Sequence, residues 1–323
     1  MILCDANAAS QLDSFVLGKG SDIIEPLEGV TGGRSLLTMR GEEWKRWRQL
    51  FNGGFSAGYM TGLAPSIADE VAIFRQKLLG RCSLGQSSVF QLEELTLRLA
   101  FDIIGSVVLT LPYCYYLLSQ NPEILSHVIE KHHNGFGTDP SETQDTIHEE
   151  PQRLNEIPYT TAYIKEVLRI FPPAAALRRA RPDLDIVDGN GCVHPTEGCN
   201  AFTLNLAVHR NPKHWKDPDT CIPERWLVGP EDPLYPPKGA WRPFEWGPRS
   251  CIGQTLAMTV LKIGLLMTVR EFSITPAYDE WDQLHPRSGV KTSNGNRAYQ
   301  AANGGGGARP ADRLPVRVEL RKQ

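Results

Sequence analysis

The chain has 323 residues, 41% of them apolar, with 34 Lys and Arg against 37 Asp and Glu and a formal net charge of −3. That is enough for a sizeable core in one large or two smaller domains, and the dispersed basic residues argue against a nucleic-acid partner. Seven cysteines with no CxxC pair read as reduced, mostly buried thiols of an intracellular chain rather than as a disulfide framework.

The opening MILCDANAASQLDSF places Asp5 and Asp13 where a signal peptide needs an unbroken apolar run, so neither a secretory leader nor an anchor is expected. Residues 41–51 carry Trp44, Trp47 and Leu50 at helical spacing behind Glu42 and Glu43, the pattern of an amphipathic helix. Residues 65–79 and 91–109 predict two more helices. The stretch from Leu99 to Leu118 has the length of a membrane span, but Asp102, Pro112 and the cluster Tyr113, Tyr115, Tyr116 argue against one. Asn121 and Pro122 open a helix over 122–133, because proline is tolerated in a first helical turn. Another runs over 157–170 and stops at Pro172–Pro173.

Residues 174–245 are rich in Pro, Gly and short β-prone runs, yet Trp215, Trp226, Trp241 and Trp246 predict a packed segment rather than a disordered one. An apolar helix is expected over 255–270, a flexible loop at Gly304–Gly307 and a closing strand at Val316–Leu320. These elements predict a mainly α fold with small β-sheets, of the α+β class. The eight histidines, among them His132, His133, His194, His209 and His214, show no metal-ligand spacing and no paired carboxylate, and read as surface or capping residues. No Gly-x-Ser-x-Gly supports a serine nucleophile.

The chemistry concentrates in residues 244–253, Phe-Glu-Trp-Gly-Pro-Arg-Ser-Cys-Ile-Gly, just before the helix expected from Gln254. A helix start offers backbone N–H groups and a positive dipole end, which favour a thiolate at Cys251. Gly247 and Gly253 lack a Cβ, so the backbone there can turn sharply and approach a flat ligand closely. Arg249 offers a charge-assisted bond to a carboxylate, and Phe244 would pack beside the sulfur and exclude water. Glu166 and Arg169 stand three residues apart on one helix face, where an isolated pair is usually a solvated ion pair worth about 0–1 kcal/mol.

Residues 244–253 resemble the Phe-x-x-Gly-x-Arg-x-Cys-x-Gly signature of the cytochrome P450 family at all five fixed positions. The resemblance implies haem b (heme b) with Cys251 as its axial thiolate and sole protein iron ligand, and Phe244, Arg249 and Gly253 around it. Glu166 and Arg169 resemble the family's Glu-x-x-Arg element, and Pro223-Glu224-Arg225-Trp226 resembles its Pro-Glu-Arg-Phe element. The role implied for Glu166, Arg169 and Arg225 is structural, an interlock behind the haem. Trp44 and Arg48 match a Trp-x-x-x-Arg helix that reaches the haem propionates, and Arg178 matches a further propionate contact. The implied reaction is monooxygenation of a lipophilic small molecule, in the filamentous-fungal branch a secondary metabolite, with electrons from NADPH through NADPH–cytochrome P450 reductase at the endoplasmic-reticulum membrane.

The resemblance covers residues from about 15 to the C-terminus as one domain, 1–323, but an incomplete cytochrome P450 fold. The family's N-terminal anchor and first small sheet have no counterpart, which leaves a soluble or peripheral chain open. A second, internal gap falls near 109–113: TLRLAFDIIGSVVL at 96–109 and YCYYLLSQNPE at 113–123 resemble helices that the family separates by a long segment. That segment holds the central distal helix, with the acid–alcohol pair that delivers protons to bound oxygen. No Ala-Gly-x-Asp/Glu-Thr run is present, Thr110 does not supply the pair, and no catalytic residue is assigned. Four readings therefore stay open: a monooxygenase impaired by the gap, an inactive haem-binding remnant, a haem-thiolate isomerase or dehydratase, and an unligated α-rich interaction protein.

Overall fold

The computed structural model describes residues 1–13, 29, 31–82, 89–103, 109–179, 181–286, 289–290, 292, 295–301 and 308–322. Eleven α-helices are present among these. They are α1 (Ala6–Asp13), α2 (Gly41–Asn52), α3 (Ala57–Cys82), α4 (Leu92–Ile103), α5 (Thr110–Gln120), α6 (Pro122–Phe136), α7 (Thr143–Glu149), α8 (Pro158–Ile170), α9 (Asn205–His209), α10 (Gln254–Leu266) and α11 (Tyr278–Leu284). The fold is mainly helical with small sheets, as the sequence pattern predicts.

The core forms where helical spacing aligns apolar side chains. On α3, Met60, Ala64, Ile67, Ala68, Val71, Phe74 and Leu78 are all buried, a seam at three- and four-residue steps. This helix begins eight residues earlier than the sequence predicts, and Pro65 lies inside it. Leu256, Val260, Leu261, Ile263 and Leu265 of α10 belong to the same core, as do Tyr163, Ile164 and Val167 of α8. From α5 come Tyr113, Cys114, Tyr115 and Leu118, locked by hydrogen bonds from Tyr163 Oη to the Cys114 carbonyl (2.5 Å) and between Tyr115 Oη and Thr268 Oγ1 (2.7 Å). The apolar run from 99 to 118 therefore divides between α4 and α5, with residues 104–108 outside the described part. No helix among the described residues is long and apolar enough to cross a membrane.

The segment 174–245 folds into short strands. β1 (Ile2–Leu3) pairs in parallel with β6 (Asn200–Thr203), which pairs antiparallel with β3 (Ala176–Arg179). Residues 2–3 thus supply one edge of a three-stranded sheet, an element the sequence did not predict. Leu3, Ala9 and Leu12 then pack on Leu184, Ile186 and Ala201, tying the first thirteen residues into the fold. A second sheet orders β2 (Phe90–Gln91), β10 (Pro315–Leu320) and β7 (Phe272–Pro276), with Val316 and Val318 buried on either side of Arg317. The glycines at 304–307 lie outside the described residues.

Two groups of residues differ from expectation because burial decided them. His132 and His209 are fully buried, His132 bonded to Thr160 Oγ1 (2.8 Å), and His209 to the Arg169 carbonyl through Nδ1 and the Arg242 N–H through Nε2 (3.0 and 2.8 Å). Burial pushes both imidazoles down to about 3. His194 and His214 pair with Asp188 and Asp5, so paired carboxylates do exist. Of the seven cysteines, all free, only Cys114 is buried, while Cys251 is exposed.

Candidate functional site

The thiol-bearing loop is a closed turn at the head of α10. The Cys251 N–H donates to the Phe244 carbonyl (2.8 Å) and the Ser250 N–H to the Gly247 carbonyl (3.0 Å), so the chain reverses within eight residues. Gly247 makes the reversal possible, with φ +79° and an ideal Cβ position only 2.7 Å from the Asp13 carbonyl oxygen. Its close approach is to the end of α1. Gly253 has φ −81° and caps α10; a Cβ there would lie 3.8 Å from Cys251 Sγ, in ordinary contact. Phe244 is half-buried and meets Trp241 edge-on at 5.9 Å. These contacts leave the thiol exposed two residues before the helix cap.

Helix α2 closes on this loop. Trp44, buried at 4% exposure, receives the Arg249 guanidinium over its ring at 4.4 Å. Arg48, one turn further on, donates from Nη1 to the Ser250 carbonyl (2.8 Å) and from Nε to Asn52 Oδ1 (3.0 Å). Burial lowers the Arg48 guanidinium, and Cys251 opposes that shift. Arg249 donates one N–H to the Met39 carbonyl (2.7 Å), while its Nε and Nη1 are buried without a protein partner. Burial first, then the like charges of Arg178, Arg40 and Arg48, push it down to about 10. Arg178, placed inward by the alternation of β3, pairs with Glu245.

The structure thus brings Cys251, Phe244, Gly253, Arg249, Trp44, Arg48 and Arg178 to one place. Beside Ile252 lies an open cleft of about 1060 Å³, lined on one side by Trp47 and Phe51 of α2. Trp47 and Leu50, expected on the buried face of that helix, are 39% and 68% exposed, so Trp44 alone of the three enters the protein. Among the described residues no group of three or more His, Cys, Asp or Glu has the arrangement of a metal site.

Glu166, Arg169 and Arg225 meet elsewhere, completely buried. Glu166 accepts from Arg169 Nε and Nη2 (2.9 and 2.7 Å), Arg225 Nε (3.1 Å), Trp226 Nε1 (3.2 Å) and the Ile222 N–H (3.1 Å). Arg169 also donates to the carbonyls of His209, Pro218 and Thr220. One carboxylate thereby ties α8 to the irregular segment that leads to the thiol loop. A solvated pair is excluded by this burial.

Sequence reasoning missed Glu245, Asp13 and Arg242. Glu245 lies inside the ten-residue motif and its acidity was visible, but its partner Arg178 is 67 positions away. Asp13 pairs with the buried Arg242, a contact that no local pattern signals.

The sequence model of the family described as cytochrome P450 matches residues 109–298, more than half of the chain. The chain is 28% identical to cytochrome P450 monooxygenase polC of Polytolypa hystricis, over 91% of this chain and 74% of that protein. It is 33% identical to monooxygenase acrF of Aspergillus aculeatus over 65% of this chain, spanning less than half of that relative (46%). It is also 33% identical to monooxygenase PC-23 of Penicillium crustosum, over 65% of this chain and 99% of that relative. The chain belongs to the cytochrome P450 family.

Proposed function

We propose that the chain binds haem b, whose iron the Cys251 thiolate would hold, and that its reaction is the monooxygenation of a lipophilic small molecule, in the filamentous-fungal setting a secondary metabolite. The observation that carries this reading is the pair of buried, unpartnered N–H groups of Arg249 beside Arg48, Arg178 and an exposed thiol at a helix start. A dicarboxylate macrocycle fits that donor set: carboxylates satisfy the orphaned guanidinium, and a thiolate is a soft ligand for iron. Bound haem would supply a thiolate-ligated iron that activates dioxygen. Arg249, with Arg48 and Trp44, would hold the propionates, and Arg178 would add a further cation. Phe244 would shield the sulfur from water, and the Phe244–Cys251 turn would fix its direction. Glu166, Arg169 and Arg225 would hold the loop's foundation without touching the reacting atoms.

Electrons would come from NADPH through NADPH–cytochrome P450 reductase, with the chain working at the endoplasmic-reticulum membrane. The polC alignment runs over 416 positions but uses about 294 residues of this chain (91% of 323), which leaves about 120 positions of polC without a counterpart. The family match begins at Leu109, so we place this deficit next to that residue, within one domain spanning 1–323. The deficit favours a second reading, a chain that holds haem without oxygenating anything. Reconstitution with haemin, followed by oxygen consumption with NADPH and the reductase, separates the two. Haem uptake with reductase-dependent consumption supports the monooxygenase, and uptake without it selects the second reading. Failure to take up haem overturns both.

A further inference from the structure

Glu245 occupies an unfavourable backbone position for its type. It sits at φ +61°, in the left-handed region that favours glycine, at the second residue of the turn that ends in Cys251. What it gains is the ion pair with Arg178, whose side chains are only 3% and 18% exposed. Arg249 feels both members of this pair, and the charges acting on it are the three guanidiniums of Arg178, Arg40 and Arg48 against the single carboxylate of Glu245. Asp13, the other carboxylate nearby, is paired with Arg242. Glu245 therefore neutralises part of a crowded cationic cluster that would otherwise repel itself.

We propose that Glu245 is the built-in counter-ion of this arginine cluster: it stabilises the chain before haem binds and competes with a haem carboxylate for Arg178. This inference rests on the haem site proposed above. A residue that only shapes the turn would support both the fold and haem binding. A competing counter-ion affects them in opposite directions, because the charge that quiets the cluster also weakens its pull on an incoming anion.

The test uses Glu245→Gln, which keeps the size and one acceptor but removes the charge, and Glu245→Asp, which keeps the charge. Thermal unfolding is followed on protein without haem, and binding is followed with haem and with its dimethyl ester, in which both carboxylates are blocked. Glu245→Gln should lower the unfolding temperature of the haem-free protein by about 2–4 °C. The same substitution should tighten haem binding by about three- to tenfold, a modest figure because the pair is partly screened. Binding of the dimethyl ester should not change, and Glu245→Asp should stay near the wild type in both measurements. Unchanged or weaker haem binding in Glu245→Gln, or an equal shift for haem and its ester, overturns the proposal. If the wild-type chain takes up neither compound, the haem site itself fails, and the inference fails with it.

Discussion

Replacing Glu166 by alanine should remove most of the chain's net stability. The substitution deletes the acceptor of five hydrogen bonds, to Arg169 (two), Arg225, Trp226 and the Ile222 backbone, around a carboxylate that is fully buried together with both arginines. Breaking a buried ion pair from one side leaves uncompensated charge and costs about 3–5 kcal/mol. The Trp226 and Ile222 N–H groups, on half-buried residues, also lose their acceptor and add about 1 kcal/mol. Arg169 keeps three backbone carbonyls and Arg225 keeps the Asp217 carbonyl, which holds the total near about 4–6 kcal/mol. Since a domain is normally stable by about 5–15 kcal/mol, much of the variant should be unfolded or aggregated. Glu166→Gln, which retains one carbonyl acceptor, should lose about half as much. Urea unfolding followed by tryptophan fluorescence measures both. A loss below about 1 kcal/mol in Glu166→Ala would refute the reasoning, since that is the range of an exposed pair.

Further outcomes follow from the same structure. Gly247→Ala should cost about 2–3 kcal/mol, from the left-handed backbone and the contact with Asp13; Gly253→Ala, with ordinary φ and only the 3.8 Å contact, should cost under about 1 kcal/mol. Equal effects in urea unfolding would contradict the geometry. His132 and His209 are held neutral to about pH 3, whereas the unfolded chain protonates them near 6.5. Their stabilisation is full above about 6.5 and is lost as pH falls toward 3, by up to about 1.4 kcal/mol per pH unit for each; unfolding measured against pH should be flatter in His132→Gln. A longer transcript of the same locus should encode a segment between Leu109 and Tyr113, and its product should oxygenate substrate where the 323-residue chain shows little coupled turnover. Full-length transcript sequencing that finds only the shorter product, with active turnover, would overturn this.

The helices were legible where one face is apolar over several turns. The seams of α3, α8 and α10 match the periodicity because each packs into a single core. The early start of α3 was hidden by Pro65, which reads as a boundary yet falls inside the helix. The short strands of 176–203 carry too few residues for an alternating pattern to stand out, and β1 exists only because its partner lies 200 positions away. At the site, Cys251, Arg249, Trp44 and Arg48 were legible from one contiguous motif and one helical spacing. Glu245 and Asp13 were not, because their importance lies in partners brought close by the fold. His132 and His209 show the same limit: burial, not sequence neighbourhood, sets their charge.

The identity of the axial ligand is the central claim, and the carbon-monoxide difference spectrum of the reduced, haem-loaded protein tests it most directly. A thiolate opposite carbon monoxide gives a band at distinctly longer wavelength than a histidine or a neutral thiol. The wild-type chain should show that band, and Cys251→Ala should lose it entirely, while substitution of the exposed Cys4 or Cys192 should leave it intact. An undiminished long-wavelength band in Cys251→Ala would contradict the account.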